Sequence, residues 1–325
     1  MRDVIKNNRL WLAILVIPLL LLPHFSGTYV IYLASIAGVY TIVSVGLNLL
    51  FGFTGLISIG HAAFLGTGAY TTAILLTRAA AVPFPVVLIL SGLLAALLGL
   101  IVGLPALRLS GHYLAMATMG FGFVMEELFL HWESLTKGSL GITVPKVSIG
   151  PLRFATGVSK YYLILVLVAA MILLAKNILN SKTGRAFIAI RDHEIAAQTL
   201  GIHLAWYKTI SFMISAFYAG IAGSLYAILL SYINAEGFHL MVSVFYLEMV
   251  IVGGIASVLG SILGAVFLTL LPEILGAKYQ LYQIILQGLV LVLTLIFMPW
   301  GLSGMFWSLY HGRKHEEKKG LRSEP

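Results

Sequence analysis

Residues 189–202, AIRDHEIAAQTLGI, place an arginine, an aspartate, a histidine and a glutamate side by side in a chain that is otherwise mostly apolar. Groups of these types could do acid–base chemistry, hold a metal, or pair with charges on another protein. Acid–base catalysis needs carboxylates or imidazoles converging on one substrate position, and the sequence offers no second cluster to complete such a set. The nine histidines are scattered, with no His-Glu-x-x-His pair or other ligand spacing, so no metal site is expected. Zero cysteines exclude disulfides, thiolate ligands and cysteine nucleophiles. No Gly-Lys dipeptide occurs, which rules out a Gly-x-x-x-x-Gly-Lys-Ser/Thr phosphate loop. The expectation is a chain with no catalytic residue and no cofactor of its own.

Other polar residues sit inside apolar runs. Glu126, Glu127 and Glu248 lie near the outer ends of theirs. A charge at a bilayer centre costs about 2.5–3.5 kcal/mol on insertion scales, so a structural role near the boundary fits these acids better than proton coupling. The block 46–73 crowds Gly46, Gly52, Gly55, Gly60, Gly66 and Gly68 among Asn48, Ser58, His61 and Thr67. Polar groups at membrane depth must find partners or face a cavity. A glycine-rich broken helix lining a solute route would fit. Close helix packing would fit the glycines better, as Gly99-x-x-x-Gly103 and Gly260-x-x-x-Gly264 also suggest. For Asn48 and His61 both readings stay open. With Gln287 in the last apolar run, Asn48, Ser58, His61 and Thr67 are the candidate path residues.

The elements that must position these groups are membrane helices. The chain is 60% hydrophobic and 10% charged, against roughly 25% charged in a soluble domain. Its apolar runs are continuous, not alternating, so helices and not a β-barrel are expected. The fold class is all-α and polytopic, with about ten transmembrane segments (8–10), some short or broken, at about 10–27, 29–51, 55–77, 84–107, 112–131, 160–180, 208–230, 243–257, 260–276 and 280–298. The eighth and ninth could be one tilted helix, but Gly253-Gly254 and Gly260 make a break plausible. The first segment is too long for a signal peptide and lacks a small-residue cleavage site.

With ten crossings and a cytoplasmic start, fourteen Lys and Arg fall inside and six outside, as the positive-inside rule requires. The net charge of +8 is thus read as topology and not as nucleic-acid binding. Both termini are expected in the cytoplasm. Residues 1–311 form one membrane domain, with an outer loop at about 132–159 and an inner loop at about 181–207. Residues 312–325 form a charged tail.

Within the inner loop Asp192 suits a helix N-cap and Gly201 a C′ position. Between them Ala196, Ala197 and Leu200 fall on one side. A small-residue face lets another backbone approach closely, while Arg191, Asp192 and Glu194 can form charge pairs at its rim. That suits a lever seated in a cleft on a cytosolic partner. The alternative is an amphipathic helix on the inner leaflet, which usually needs bulkier apolar residues and a basic polar face.

At this point the sequence resembles a family. GRAFIAIRDHEIAAQTLGI is similar to the cytoplasmic loop of ABC-importer permeases, and more narrowly to branched-chain amino-acid permeases of the LivM type. GLNLLFGFTGLISIGHAAFLGTGAYTTA (46–73), LRLSGHYLAMATMGFGFVMEEL (107–128), GSLGITVP (138–145) and MPWGLSGMF (298–306) follow in the expected order. Against the general motif Glu-Ala-Ala-x-x-x-Gly, this loop has Ile195 where Glu is expected and Glu194 one residue earlier. The resemblance implies a permease subunit importing branched-chain amino acids across the cytoplasmic membrane. Its implied partners are a homologous second permease, two cytosolic ATPases that carry the ATP and Mg, an extracytoplasmic solute-binding protein, and membrane lipid. Arg191, Asp192, Glu194, Ala196, Ala197, Leu200 and Gly201 would then form the ATPase-docking segment. Related permeases move urea, short amides or other amino acids, and the residues do not separate these. An ion-coupled carrier would need an ionisable group deep in the bundle, and the acids here sit at the ends.

Overall fold

The computed structural model describes residues 18–79, 82–106, 111–149, 152–275, 282–298 and 301–304. Most of the expected first segment, the basic N-terminus and the charged tail lie outside these. Helical residues 18–25 (α1) lead into α2 (Thr28–Thr54), α3 (His61–Arg78), α4 (Phe84–Ala106) and α5 (His112–His131). A short α6 (Glu133–Thr136) follows, then strands β1 (Ile142–Thr143), β2 (Val147–Ile149) and β3 (Leu152–Phe154). The chain continues through α7 (Gly157–Asn180), α8 (Lys182–Asp192), α9 (Glu194–Thr199) and α10 (Leu204–Leu230). Strand β4 (Tyr232–Ile233), α11 (Leu240–Gly253), α12 (Val258–Leu275) and α13 (Gln283–Phe297) complete it. Six described stretches are long and apolar enough to cross a membrane, and α12 and α13 include shorter apolar helices. The chain is a polytopic all-α membrane protein.

The core explains why one central helix need not be oily. α3 is packed against α10, α4, α2, α5 and α11, so its neighbours are protein and not lipid. Its threonines satisfy themselves: Thr67, Thr72 and Thr77 hydroxyls donate to the carbonyls of Ala63, Gly68 and Ala73 at 2.8, 3.0 and 2.7 Å. Thr72 also bonds Ser91 of α4 at 2.8 Å and Ser224 of α10 at 2.7 Å, tying three helices at one level. Close approach of α3 and α10 depends on glycine, because a Cβ on Gly68 would overlap the Gly220 carbonyl oxygen. Tyr218 of α10, fully buried, donates to the Met171 carbonyl at 2.9 Å and brings in α7.

One end of the bundle carries α8, α9 and the C-terminal end of α2. The opposite end carries α6 and the strands. There β1 pairs antiparallel with β4 (Ile142 opposite Ile233) and β2 with β3, two ribbons that the reading of the outer loop did not anticipate. At this end Tyr70 stacks on Phe129 at 4.8 Å and both rings meet Phe238, closing the bundle with aromatic side chains.

Two boundaries differ from the sequence reading. The third segment begins at His61 and not at 55, because Gly55 takes φ +79° and caps α2 while residues 55–60 run irregularly. The glycine-rich stretch 243–276 is two helices, as read, but the first ends earlier than 257: α11 ends at Gly253, Gly254 has φ 128°, and α12 returns alongside it. Gly260 is not part of that break. It lies inside α12 against Gly253, and Gly264 packs on the Met249 carbonyl, so the glycines let the two helices touch backbone to backbone.

Candidate functional site

The acid-and-base stretch folds as the end of one helix, a break, and a second short helix. Ser181 caps α8, its hydroxyl accepting from the N–H groups of Thr183 and Gly184. α8 then runs through Asp192, so Asp192 is not the N-cap expected of it. His193, in extended conformation (φ −161°, ψ 103°), occupies the N-cap position of α9 and makes no side-chain cap bond. Because α8 already extends to this point, the Asp192 carboxylate instead takes the Arg191 guanidinium, with Nε and Nη2 donating to Oδ1 at 2.9 and 2.8 Å. Gly201 takes φ +81° and donates to the Gln198 carbonyl, while Ile202 N–H donates to Ala197. This left-handed terminus matches the place read for Gly201.

Two contacts brace this segment on the membrane helices. Lys208 Nζ of α10, buried, meets the Glu194 carboxylate at 2.6 Å. Arg191 Nη1 donates to the Gly52 carbonyl at the end of α2 at 3.2 Å. Charge pairs of the expected residues therefore exist within the chain. The Glu194 tether also sets which face of α9 is free. Ala197, at i+3 from Glu194, turns inward and is 2% exposed. Ala197 therefore does not join the exposed face with Ala196 and Leu200. That face is built by Ile195, 71% exposed, Ala196, and Leu200, 81% exposed. A cleft of about 290 Å³ between α9 and the end of α2 includes Thr54, Gly55 and Asp192. Another, of about 480 Å³, lies toward α10 and includes Gln198, His203 and Lys208. α9 stands as a ridge with a hollow on either side, a shape that can seat in a complementary surface.

The candidate path residues are placed otherwise than a lined channel would place them. Asn48 is 1% exposed; its Nδ2 donates to the Ser257 carbonyl at 2.9 Å and Ser261 Oγ at 2.7 Å, and its Oδ1 accepts from Ala256 N–H at 2.9 Å. His61 is fully buried between Ser58 Oγ (3.0 Å from Nδ1) and Ser215 Oγ (2.6 Å from Nε2). Thr67 is buried and bonded within its own helix. Gln287 lies part-buried in α13. In this conformation internal hydrogen bonds satisfy Asn48, Ser58, His61 and Thr67. Among the described residues no three His, Asp or Glu converge to hold a metal. Sequence reasoning missed Lys208 and Ile195. The signal for Lys208 was a lone cation five residues into an apolar helix directly after the loop.

The profile of a family described as branched-chain amino acid transport system / permease component matches residues 29–297. The chain is 32% identical to the high-affinity branched-chain amino acid transport system permease protein LivM of Escherichia coli K12, over 92% of this chain and 76% of that one. It is 24% identical to a probable branched-chain amino acid transport permease protein LivH of Methanocaldococcus jannaschii, over 82% and 89%. No solved structure gives a significant match. A bundle of apolar helices, a braced polar segment at one end and a family match across most of the length lead to one assignment: the chain belongs to the branched-chain amino-acid permease family.

Proposed function

We propose that this chain is the membrane subunit of an ATP-driven importer of branched-chain amino acids in the cytoplasmic membrane, with both termini in the cytoplasm. It works beside a homologous second permease, two cytosolic ATPases that bind ATP and Mg, and an extracytoplasmic solute-binding protein. The observation that carries this reading is the α8–α9 segment. It projects Ile195 and Leu200 outward at the end of the bundle, while Arg191 and Glu194 fasten it to α2 and α10. Large apolar side chains exposed on a short helix beyond the apolar spans suit contact with a protein or with the membrane surface, and the bracing, which makes the helix a lever and not a loose tether, favours the protein. Closure of the ATPases around ATP would move α9, and α2 and α10 would carry that displacement into the membrane.

The relatives' names support branched-chain amino acids as the solute. Their side chains are apolar, so the route needs few binding groups and selectivity can rest with the binding protein. The test is reconstitution of the four-component complex in vesicles with radiolabelled leucine. Uptake is expected only with ATP, the ATPase and loaded binding protein all present. Uptake that persists without the ATPase and follows a proton or sodium gradient would overturn the reading.

A further inference from the structure

The end of α2 lies between the docking segment and a distant part of the chain. On one side Arg191 Nη1 donates to the Gly52 carbonyl, and a Cβ on Gly55 would come within 3.3 Å of Arg191 Cγ. On the other side, one turn earlier along α2, Asn48 holds the turn between α11 and α12. Its amide uses donor and acceptor together, giving to Ser257 O and Ser261 Oγ and accepting from Ala256 N–H. The turn lies directly on α2, since a Cβ on Gly52 would approach Ala256 N to 2.5 Å. Ala256 has φ +60°, a left-handed conformation that a residue with a Cβ rarely takes. The bond from its N–H to Asn48 helps hold it there. Gly301, beyond α13, lies against Gly254 of the same turn.

From these contacts we infer that Asn48 is a positioning residue for energy coupling, joining the α8–α9 segment through the end of α2 to the α11–α12 turn. The inference rests on the reading of the chain as an ATP-driven permease. A displacement of Arg191 pulls on the Gly52 carbonyl. Gly52 lies only four positions along from Asn48, about 6 Å along the helix, so the shift reaches the turn with little helix between to absorb it. Neighbouring bonds tie the start of α3 to the same helices and to α5. Ile59 N–H donates to Thr118 Oγ1 of α5, Ala62 N–H to Ser243 Oγ of α11, and His61 bonds Ser215 of α10. The α11–α12 pair, packed glycine on glycine, then moves as one piece.

The test uses the full complex. The chain has no cysteine, so Ile255→Cys, at a half-exposed position in the turn, takes one spin label on this subunit when labelled before assembly with its partners. In the otherwise wild-type complex ATP is expected to change the label's mobility, and uptake to accompany hydrolysis. With Asn48→Leu, hydrolysis is expected to stay within about twofold of wild type while solute moved per ATP falls about tenfold, a typical size for a coupling free energy. The label response should be lost. Ser261→Ala, which removes one of the bonds, is expected to lower the ratio about twofold to threefold. Unchanged solute per ATP in Asn48→Leu, or a label response that persists, overturns the inference. If Asn48→Leu does not assemble, Ser261→Ala decides, and an unchanged ratio there overturns it. Absence of ATP-dependent uptake in the wild-type complex would instead bring down the proposed function itself.

Discussion

Replacing Leu200 with alanine removes the most exposed apolar side chain of the α8–α9 segment, one that the rest of the subunit barely covers. Full burial of a leucine side chain is worth about 1.5–3 kcal/mol. Leu200 is 81% exposed in the isolated chain, so a partner that covers it gains about 1–2.5 kcal/mol. Truncation to alanine should forfeit most of that, weakening ATPase binding about fivefold to fiftyfold. The subunit's own melting temperature should not move, because little of the side chain is buried before docking. Binding of purified ATPase to the permease pair in nanodiscs, with a melting scan of the same samples, measures both quantities. Ala197→Trp makes the contrast. That alanine is enclosed, so a large ring there should lower stability by about 1–3 kcal/mol through overpacking. Affinity for the ATPase that Leu200→Ala leaves unchanged, or that falls only with the melting temperature, would refute the assignment of the exposed face.

Glu194→Gln should cost about 1–3 kcal/mol of stability by leaving Lys208 Nζ buried without its counter-charge, and a double-mutant cycle with Lys208→Met should recover much of the loss. The lower end is expected, because Glu194 is half exposed and screened by solvent. Gly264→Ala places a methyl group onto the Met249 carbonyl oxygen and 2.9 Å from Gly253 Cα. Separation of α11 from α12 should cost about 2–3 kcal/mol or more, visible as a lower unfolding temperature in detergent. Ser215→Ala should leave one nitrogen of His61 unbonded in a dry interior and cost about 1–3 kcal/mol by the same measurement.

The helices of this bundle were legible because each apolar run had to cross a bilayer, and that constraint overrides subtler signals. The break between α11 and α12 was legible too, since Gly253-Gly254 offered the backbone a conformation that other residues resist. The position of α3's start was not, because residues 55–60 are as apolar as a helix end and only the left-handed Gly55 marks the exit. In the α8–α9 segment, residue type gave Gly201 its place but misassigned Asp192. Whether a short acid caps a helix or ends one depends on how far the preceding helix extends. Ala197 and Leu200 looked alike in spacing. Which of them faces outward is decided by the Glu194–Lys208 bond, a contact across fourteen positions that no local pattern reveals. Asn48 was singled out as costly to bury, correctly in kind. Its partners lie more than two hundred residues away.

The late arrival of α10 has a consequence for biogenesis. Thr72 pairs with Ser224 as well as with Ser91, and His61 pairs with Ser215, so the polar contacts of α3 to α10 form only after the ribosome has made more than two hundred residues. Until then α3, the least oily member of the bundle, must wait in the translocon or against lipid with its hydroxyls bonded to its own backbone. The threonine-to-carbonyl bonds of α3 would lower the cost of that interval, and a nascent chain stalled before residue 215 should be a preferred substrate for membrane quality-control proteases.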